Sequence, residues 1–113
     1  PLYYFENDET LKILKGSNNS VGIQPLGKRS TFENHEITFT TGSMFYLFSD
    51  GFASQFGGPE GIEKFKPARF RDLLQQIHHD AVQDQMDRLE KELITWQGNT
   101  EQTDDLMVIG FRL

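Results

Sequence analysis

Asp50 has a residue type and a position suited to chemistry, because it comes just after the continuous apolar run of residues 44–48 and precedes Gly51. Continuous apolarity predicts a strand that is covered on both faces, so that Asp50 lies at the edge of a packed core. A carboxylate in that place is costly unless it is paired, hydrogen-bonded or bound to a cation. Asp followed by Gly is also a common start of a turn, and local sequence alone slightly favours a turn over a site.

A second acidic pair, Asp104 and Asp105, comes just before another largely apolar run, residues 106–111. Neighbouring antiparallel strands place the end of one strand beside the start of the other. Asp50 and Asp104 are therefore predicted to meet at one rim of a sheet. Carboxylates that converge on a dry rim repel each other, so either one carboxyl holds a proton or a cation neutralises them.

The donor atoms on this rim determine which cations could bind there and which reactions the site could catalyse. The chain has no cysteine, and an all-oxygen site selects hard cations such as Mg²⁺, Mn²⁺ and Ca²⁺. Two kinds of catalysis fit, namely metal-assisted phosphoryl chemistry and a glycosidase-like acid and base pair. The glycosidase is the weaker alternative, since the sequence shows no aromatic sugar platform. A rival of another class is a non-catalytic protein-interaction domain, in which the acids cap turns and the helices dock a partner.

The histidines are predicted to be structural rather than metal-binding. His35 stands alone on the apolar face of a predicted strand, without a ligand partner two residues away. His78 and His79 are adjacent, so their side chains are expected to point apart. No carboxylate or cysteine is placed in the sequence to complete a metal shell with them.

Short strands must position the acids. Residues 2–5 and 11–14 are β-prone runs on either side of a polar turn, which predicts a hairpin. Residues 31–40 alternate between apolar and polar, which predicts a half-exposed strand that pairs with residues 44–48 in a second hairpin. The glycine-rich segment after Gly51 has the composition of a mobile functional loop.

Two consecutive helices are predicted between the acidic segments, at about residues 68–78 and 81–97, from apolar residues at helical spacing. Asp80 and Gln83 resemble a capping box at the start of the second helix, and Gly98 stops it. The apolar stripe of the second helix is predicted to pack in the core. This stripe consists of Val82, Met86, Leu89, Leu93 and Trp96.

Charge and composition exclude several classes of partner. The net charge of -6 argues against nucleic acid, whose phosphates require a basic face. No apolar segment approaches the roughly 20 residues that span a bilayer, so no membrane contact is expected. The lack of cysteine is compatible with a cytoplasmic protein, and residues 1–113 are expected to form a single domain.

Four segments, in this order, carry a resemblance to a known family across nearly the whole chain. They are Pro25-Leu26-Gly27, then Gly42 with residues 44–51, then Gln55-Phe56-Gly57-Gly58, then Gln102-Thr103-Asp104-Asp105. Together they resemble the C-terminal half of a SpoIIE-like serine/threonine phosphatase, of the metal-dependent protein phosphatase (PPM) family. The resemblance implies an α+β fold, a partial α-β-β-α sandwich with antiparallel strands. Residues 1–113 would then be the C-terminal portion of a larger phosphatase domain.

The resemblance also implies roles for particular residues. Two Mn²⁺ or Mg²⁺ ions in the complete domain would activate a water that attacks a phosphoserine or phosphothreonine. Asp50 and Asp104 match metal ligands, and Asp105 would be an auxiliary ligand or lie just outside the ligands. Gly51 and Gly27 match structural glycines of the motifs.

The family's other metal ligands include an Asp-Gly pair preceded by an acid, and residues 1–14 offer none. This chain is therefore expected to hold a partial metal site at most, and to be inactive or weakly active alone. The complete parent protein is expected to act on a phosphorylated regulatory protein in bacterial-type signalling. Exposed sheet edges predict that the fragment self-associates.

Overall fold

A computed structural model of the chain describes residues 1–19, 21–22 and 31–113. The strands and helices in chain order are β1 (Leu2–Phe5), β2 (Lys12–Leu14), β3 (Met44–Phe48), α1 (Gly51–Ser54), β4 (Phe56–Gly57), β5 (Glu63–Lys64), α2 (Pro67–Ile77), α3 (Val82–Gln97) and β6 (Val108–Arg112). The motif glycine Gly27, with its neighbours Pro25 and Leu26, lies outside the described residues.

Four strands form one antiparallel sheet in the order β2-β1-β3-β6. The hairpin of residues 2–5 with 11–14 is confirmed, and so is the α+β class with its two consecutive helices. A separate two-stranded ribbon pairs β4 with β5. The described residues thus supply one helical layer on one four-stranded sheet, which is one α-β half of the predicted sandwich.

The predicted hairpin of residues 31–40 with β3 is wrong. Those residues form no strand, because both edges of β3 are already occupied, one by β1 and the other by β6. A strand has only two edges for backbone hydrogen bonds. His35 consequently lies on an exposed segment rather than on an apolar strand face.

The inner face of the sheet packs against the helices and forms the core. Phe5, Met44 and Tyr46 on this face are almost fully buried, as are Leu74 and Ile77 of α2. Burying an aromatic or large aliphatic side chain stabilises a fold by about 1.5–3 kcal/mol. This core holds β3 rigidly and so fixes where the chain leaves the strand at Phe48.

The outer face of the sheet carries an aromatic stack. Phe45 lies between Tyr4 and Phe111, with ring centroids 5.5 and 5.4 Å away. Leu47 and Ile109, on the same face, are 42% and 45% exposed. The prediction that the run of residues 44–48 is covered on both faces is therefore wrong at Leu47.

The two long helices lie within about one residue of their predicted bounds, but the start of α3 differs from the prediction. Ala81 precedes the helix and no side chain caps it, so the capping box of Asp80 and Gln83 is wrong. Gly98 ends the helix with a positive φ of 54°, which favours glycine. Of the predicted core stripe, Leu89, Leu93 and Trp96 pack against the core, whereas Val82 and Met86 are exposed.

The glycine-rich segment after Gly51, predicted to be a loop, contains most of α1 and all of β4, and β4 pairs with β5 just beyond the segment. Phe52 anchors α1 to the core, because its buried ring packs against Phe65 and Phe70 at centroid distances of 5.1 and 4.9 Å. Within the described ranges, no helix has the length and apolar character needed to cross a membrane.

Candidate functional site

The pairing of β3 with β6 brings the two acidic segments to the same end of the sheet. Phe48, the last residue of β3, lies opposite Val108, the first residue of β6. Asp50 is two residues beyond this pair on one side, and Asp105 is three residues before it on the other. In an antiparallel pair, positions counted outward from a matched pair remain neighbours.

Ser49 extends this pairing beyond the regular strands. Its backbone N–H donates to the carbonyl of Met107 at 3.0 Å. Its hydroxyl donates to the carbonyl of Asp105 and accepts from the N–H of Met107, both at 2.9 Å. Three hydrogen bonds from one residue therefore hold the chain before Asp50 against the chain after Asp104.

Gly51 makes the closest approach between the two segments. A Cβ atom on Gly51 would lie 2.2 Å from the backbone oxygen of Asp105 and 2.8 Å from its carbonyl carbon. No residue with a side chain fits at that distance without moving the backbone. The glycine after Asp50 is thus required by contact with the second acidic segment, and not only by a local turn.

The rim that carries the three aspartates faces solvent, so the prediction of a dry rim is wrong. Asp50, Asp104 and Asp105 are all exposed. Asp50 precedes α1, and its carbonyl accepts the N–H of Ser54 at 2.9 Å while its carboxylate caps nothing. Asp104 Oδ1 accepts the N–H of Asp105 at 2.8 Å. Among the described residues, the carboxylates of the three aspartates do not converge into one tight cluster.

Gln55 anchors the segment that leads to the acidic pair. This side chain is buried, at 1% exposure, and its amide N donates to the carbonyls of Phe56 and Glu101, both at 2.9 Å. Its amide oxygen accepts the N–H of Thr103 at 3.1 Å. Trp96 Nε1 donates to the backbone oxygen of Gln55 at 2.9 Å. Gln55 belongs to one of the four segments that carry the family resemblance, but the sequence does not show this role, because three of its four partners lie more than 40 positions away.

A second group of polar side chains lies elsewhere, around Glu9. The Nε2 atoms of His78 and His79 both contact the Glu9 carboxylate, and the two imidazole rings are only 3.8 Å apart. The prediction that these rings point apart and lack a carboxylate is wrong. Hydrogen bonds from His79 and then from His78 lower the pKa of Glu9 to about 2. Burial lowers the pKa of His78.

Comparisons with known proteins identify the family and the fold of the chain. The family model for stage II sporulation protein E (SpoIIE) matches residues 1–113. The solved structure of the SiaA-PP2C domain of Pseudomonas aeruginosa is similar, with a TM-score of 0.81 and 30% sequence identity. The match covers 99% of this chain and 42% of that one, so this chain spans less than half the length of the solved structure. No match was found among curated proteins.

Proposed function

The chain belongs to the SpoIIE family, and on that premise we propose that it is the C-terminal portion of a phosphatase domain acting on phosphoserine and phosphothreonine in proteins. The observation that carries this proposal is the contact of Gly51 and Ser49 with the backbone of Asp105. That contact holds two carboxylate-bearing segments side by side at one end of a sheet. A site for divalent cations needs such a set of oxygen donors on rigid supports.

Asp50 and Asp104 would hold Mn²⁺ or Mg²⁺, and Asp105 would be an auxiliary ligand or lie just outside the ligands. The residues fit such ions, because exposed carboxylates offer oxygen donors and leave room for the waters that Mg²⁺ retains. When bound, the two ions of the complete domain supply an activated water and neutralise phosphate charge. The carboxylates of this chain would hold and orient the ions without competing as nucleophiles.

This chain supplies only part of the metal site. Residues 1–14 contain no Asp-Gly pair preceded by an acid, and the chain spans 42% of the similar solved structure. The remaining ligands would come from the rest of the complete domain. The chain alone is therefore inactive or weakly active, and the complete protein dephosphorylates a phosphorylated regulatory protein in cytoplasmic signalling.

Hydrolysis of p-nitrophenyl phosphate with Mn²⁺ tests this function, measured on the complete protein and on this chain alone. The complete protein should turn over the substrate and lose that activity in Asp50→Asn, while this chain should show little or no turnover. Asp72→Asn is the matched control, since Asp72 is an exposed acid on α2. Equal activity of Asp50→Asn and Asp72→Asn in the complete protein would overturn the assignment. Robust turnover by this chain alone, abolished by Asp50→Asn, would overturn the proposal that this chain supplies only part of the metal site.

A non-catalytic interaction domain is the second candidate. The hydrogen bond from the N–H of Asp105 to Asp104 Oδ1 favours it, because a carboxylate oxygen that stabilises the local backbone is less available to a metal ion. Calorimetric titration with Mn²⁺ separates the two functions. A docking domain should show no heat of binding that Asp50→Asn or Asp104→Asn removes.

Self-association of this chain is a further part of the proposal. Leu47 and Ile109 expose apolar surface on the outer face of the sheet, and β2 and β6 are its edge strands. Exposed apolar strands pair with other chains. Light scattering should give a mass that rises with concentration, and Leu47→Lys should lower it. A constant monomer mass at all concentrations would contradict the proposal.

A further inference from the structure

We propose that Glu9, His78 and His79 form a separate site for a transition-metal ion of the Zn²⁺ type, which joins the β1–β2 turn to the junction between α2 and α3. One ligand atom from each of these residues lies within 4.8 Å of the other two. Among the described residues, this is the one such group of three or more histidine, cysteine or acidic side chains.

The spacing of the donor atoms suits a tetrahedral ion. Zn–N and Zn–O bonds of about 2.0–2.2 Å at tetrahedral angles separate neighbouring ligand atoms by roughly 3.3 Å. The Nε2 atom of His78 lies 3.3 Å from Oε2 of Glu9. His79 Nε2 contacts the other carboxylate oxygen, and a small rotation of its exposed ring opens that contact to the same spacing. Both imidazoles present the same nitrogen to one carboxylate.

The surroundings already orient two of the three ligands. The His78 side chain is 2% exposed, and its ring stacks on Phe5 with centroids 3.9 Å apart and planes 9° apart. Gln75 donates its amide N to Glu9 Oε2 at 3.0 Å and to the Glu9 backbone oxygen at 2.6 Å. Hydrogen bonds that orient a ligating carboxylate are a regular part of metal sites.

The donor set selects the kind of ion. Two imidazole nitrogens with one carboxylate oxygen suit Zn²⁺, Co²⁺, Ni²⁺ and Cu²⁺, whereas Mg²⁺ prefers oxygen donors alone. Three protein ligands leave a fourth position open, and His78 and His79 line a cleft of about 180 Å³ with Glu6 and Asn7. Arg112 also lines this cleft, but its guanidinium donates to the backbone carbonyls of His78 and Asp80, both at 2.8 Å.

This site is independent of the aspartate rim. Phe5, four residues before Glu9, pairs with Met44 at the start of β3, whereas Asp50 follows the end of that strand. A strand of five residues is about 15 Å long, so the two sites lie at opposite ends of the sheet. Failure of either proposal leaves the other standing.

The test is a Zn²⁺ and Co²⁺ titration of the chain without a polyhistidine tag, followed by calorimetry and by the visible absorption of Co²⁺. The wild-type chain should bind one equivalent of Zn²⁺, and Co²⁺ should give the absorption bands of a tetrahedral site. His79→Ala and Glu9→Gln alter exposed side chains, so circular dichroism should show both variants folded. Each should weaken Zn²⁺ binding at least tenfold, since loss of a supporting hydrogen bond alone costs about 10–100-fold.

His35→Ala is the matched control, because His35 is an exposed histidine outside the cluster. It should bind Zn²⁺ like the wild type, and so should Asp50→Asn. Three results would overturn the proposal: no Zn²⁺ binding by the wild type, unchanged binding by His79→Ala, or equal weakening by His35→Ala. In each of these cases Glu9 and the two histidines form a metal-free hydrogen-bonded contact.

Discussion

Replacing Gly51 with alanine tests how the two acidic segments are held together. The new Cβ atom would lie 2.2 Å from the backbone oxygen of Asp105, whereas ordinary contacts begin at 3.4 Å. The two segments must therefore separate by about 1.2 Å, because a backbone atom cannot rotate away as a side chain can. Both hydrogen bonds of the Ser49 hydroxyl, now 2.9 Å long, would then lie beyond hydrogen-bonding distance.

The expected loss of stability follows from these two effects. Two broken hydrogen bonds contribute about 1 kcal/mol each, and strain from overpacking adds at least about 1 kcal/mol. The free energy of unfolding of Gly51→Ala should fall by about 3 kcal/mol. With a urea m-value of about 2 kcal/mol per molar, the midpoint of urea unfolding should fall by about 1.5 M.

Trp96 is the chain's single tryptophan and packs against the core, so its fluorescence reports unfolding. Gly16→Ala is the matched control, because nothing lies within 4 Å of the Cβ position at Gly16. Its unfolding free energy should change by less than about 1 kcal/mol. The loss of stability in Gly110→Ala should lie between those of Gly51→Ala and Gly16→Ala, since the atom closest to its new Cβ is the flexible end of Met44 at 2.8 Å. Equal urea midpoints for Gly51→Ala and Gly16→Ala would refute the reasoning.

Three further predictions concern stability. Tyr46→Phe removes the hydroxyl that donates to the buried Gln85 amide oxygen, so the unfolding free energy should fall by about 1–3 kcal/mol in urea titrations; no change would contradict this. Burial raises the pKa of the Tyr46 hydroxyl in the folded state, so on raising the pH the hydroxyl loses its proton in the unfolded state first. Above about pH 10 the stability of the wild type should therefore fall more steeply with pH than that of Tyr46→Phe. Parallel curves of stability against pH would count against this prediction. Ser49→Ala removes the side-chain hydrogen bonds to Asp105 and Met107. The midpoint of thermal unfolding should fall by about 4–8 °C for each kcal/mol of stability lost. An unchanged midpoint in calorimetry would show that these two hydrogen bonds do not stabilise the fold.

Local sequence was sufficient where an element depends on its own residues. The first hairpin follows from two β-prone runs around a polar turn. The helices follow from apolar spacing, with Gly98 as a stop. Asp50 and the pair at 104–105 each flank an apolar strand, so antiparallel pairing alone predicts that their segments are neighbours.

Prediction failed where distant residues compete for the same position. Residues 31–40 have a strand-like pattern, but β3 pairs with β1 and β6 instead of with these residues. The start of α3 lacks its predicted cap, while Gln85, which is buried, donates to the backbone oxygen of Asp80 at 2.8 Å. The contact of Glu9 with His79 joins residues far apart in sequence, and no local pattern marks such a pair.

The central proposal is that Asp50 and Asp104 hold the metal ions of a phosphatase. Its most direct test is dephosphorylation of a phosphoserine peptide by the complete protein with Mn²⁺, comparing Asp50→Asn and Asp104→Asn with Asp72→Asn. Metal ions supply several kcal/mol of transition-state stabilisation, so kcat/KM should fall at least about 100-fold in the first two variants. The control should remain within about threefold of the wild type, a difference below 1 kcal/mol. Equal kcat/KM in all three variants would contradict the proposal.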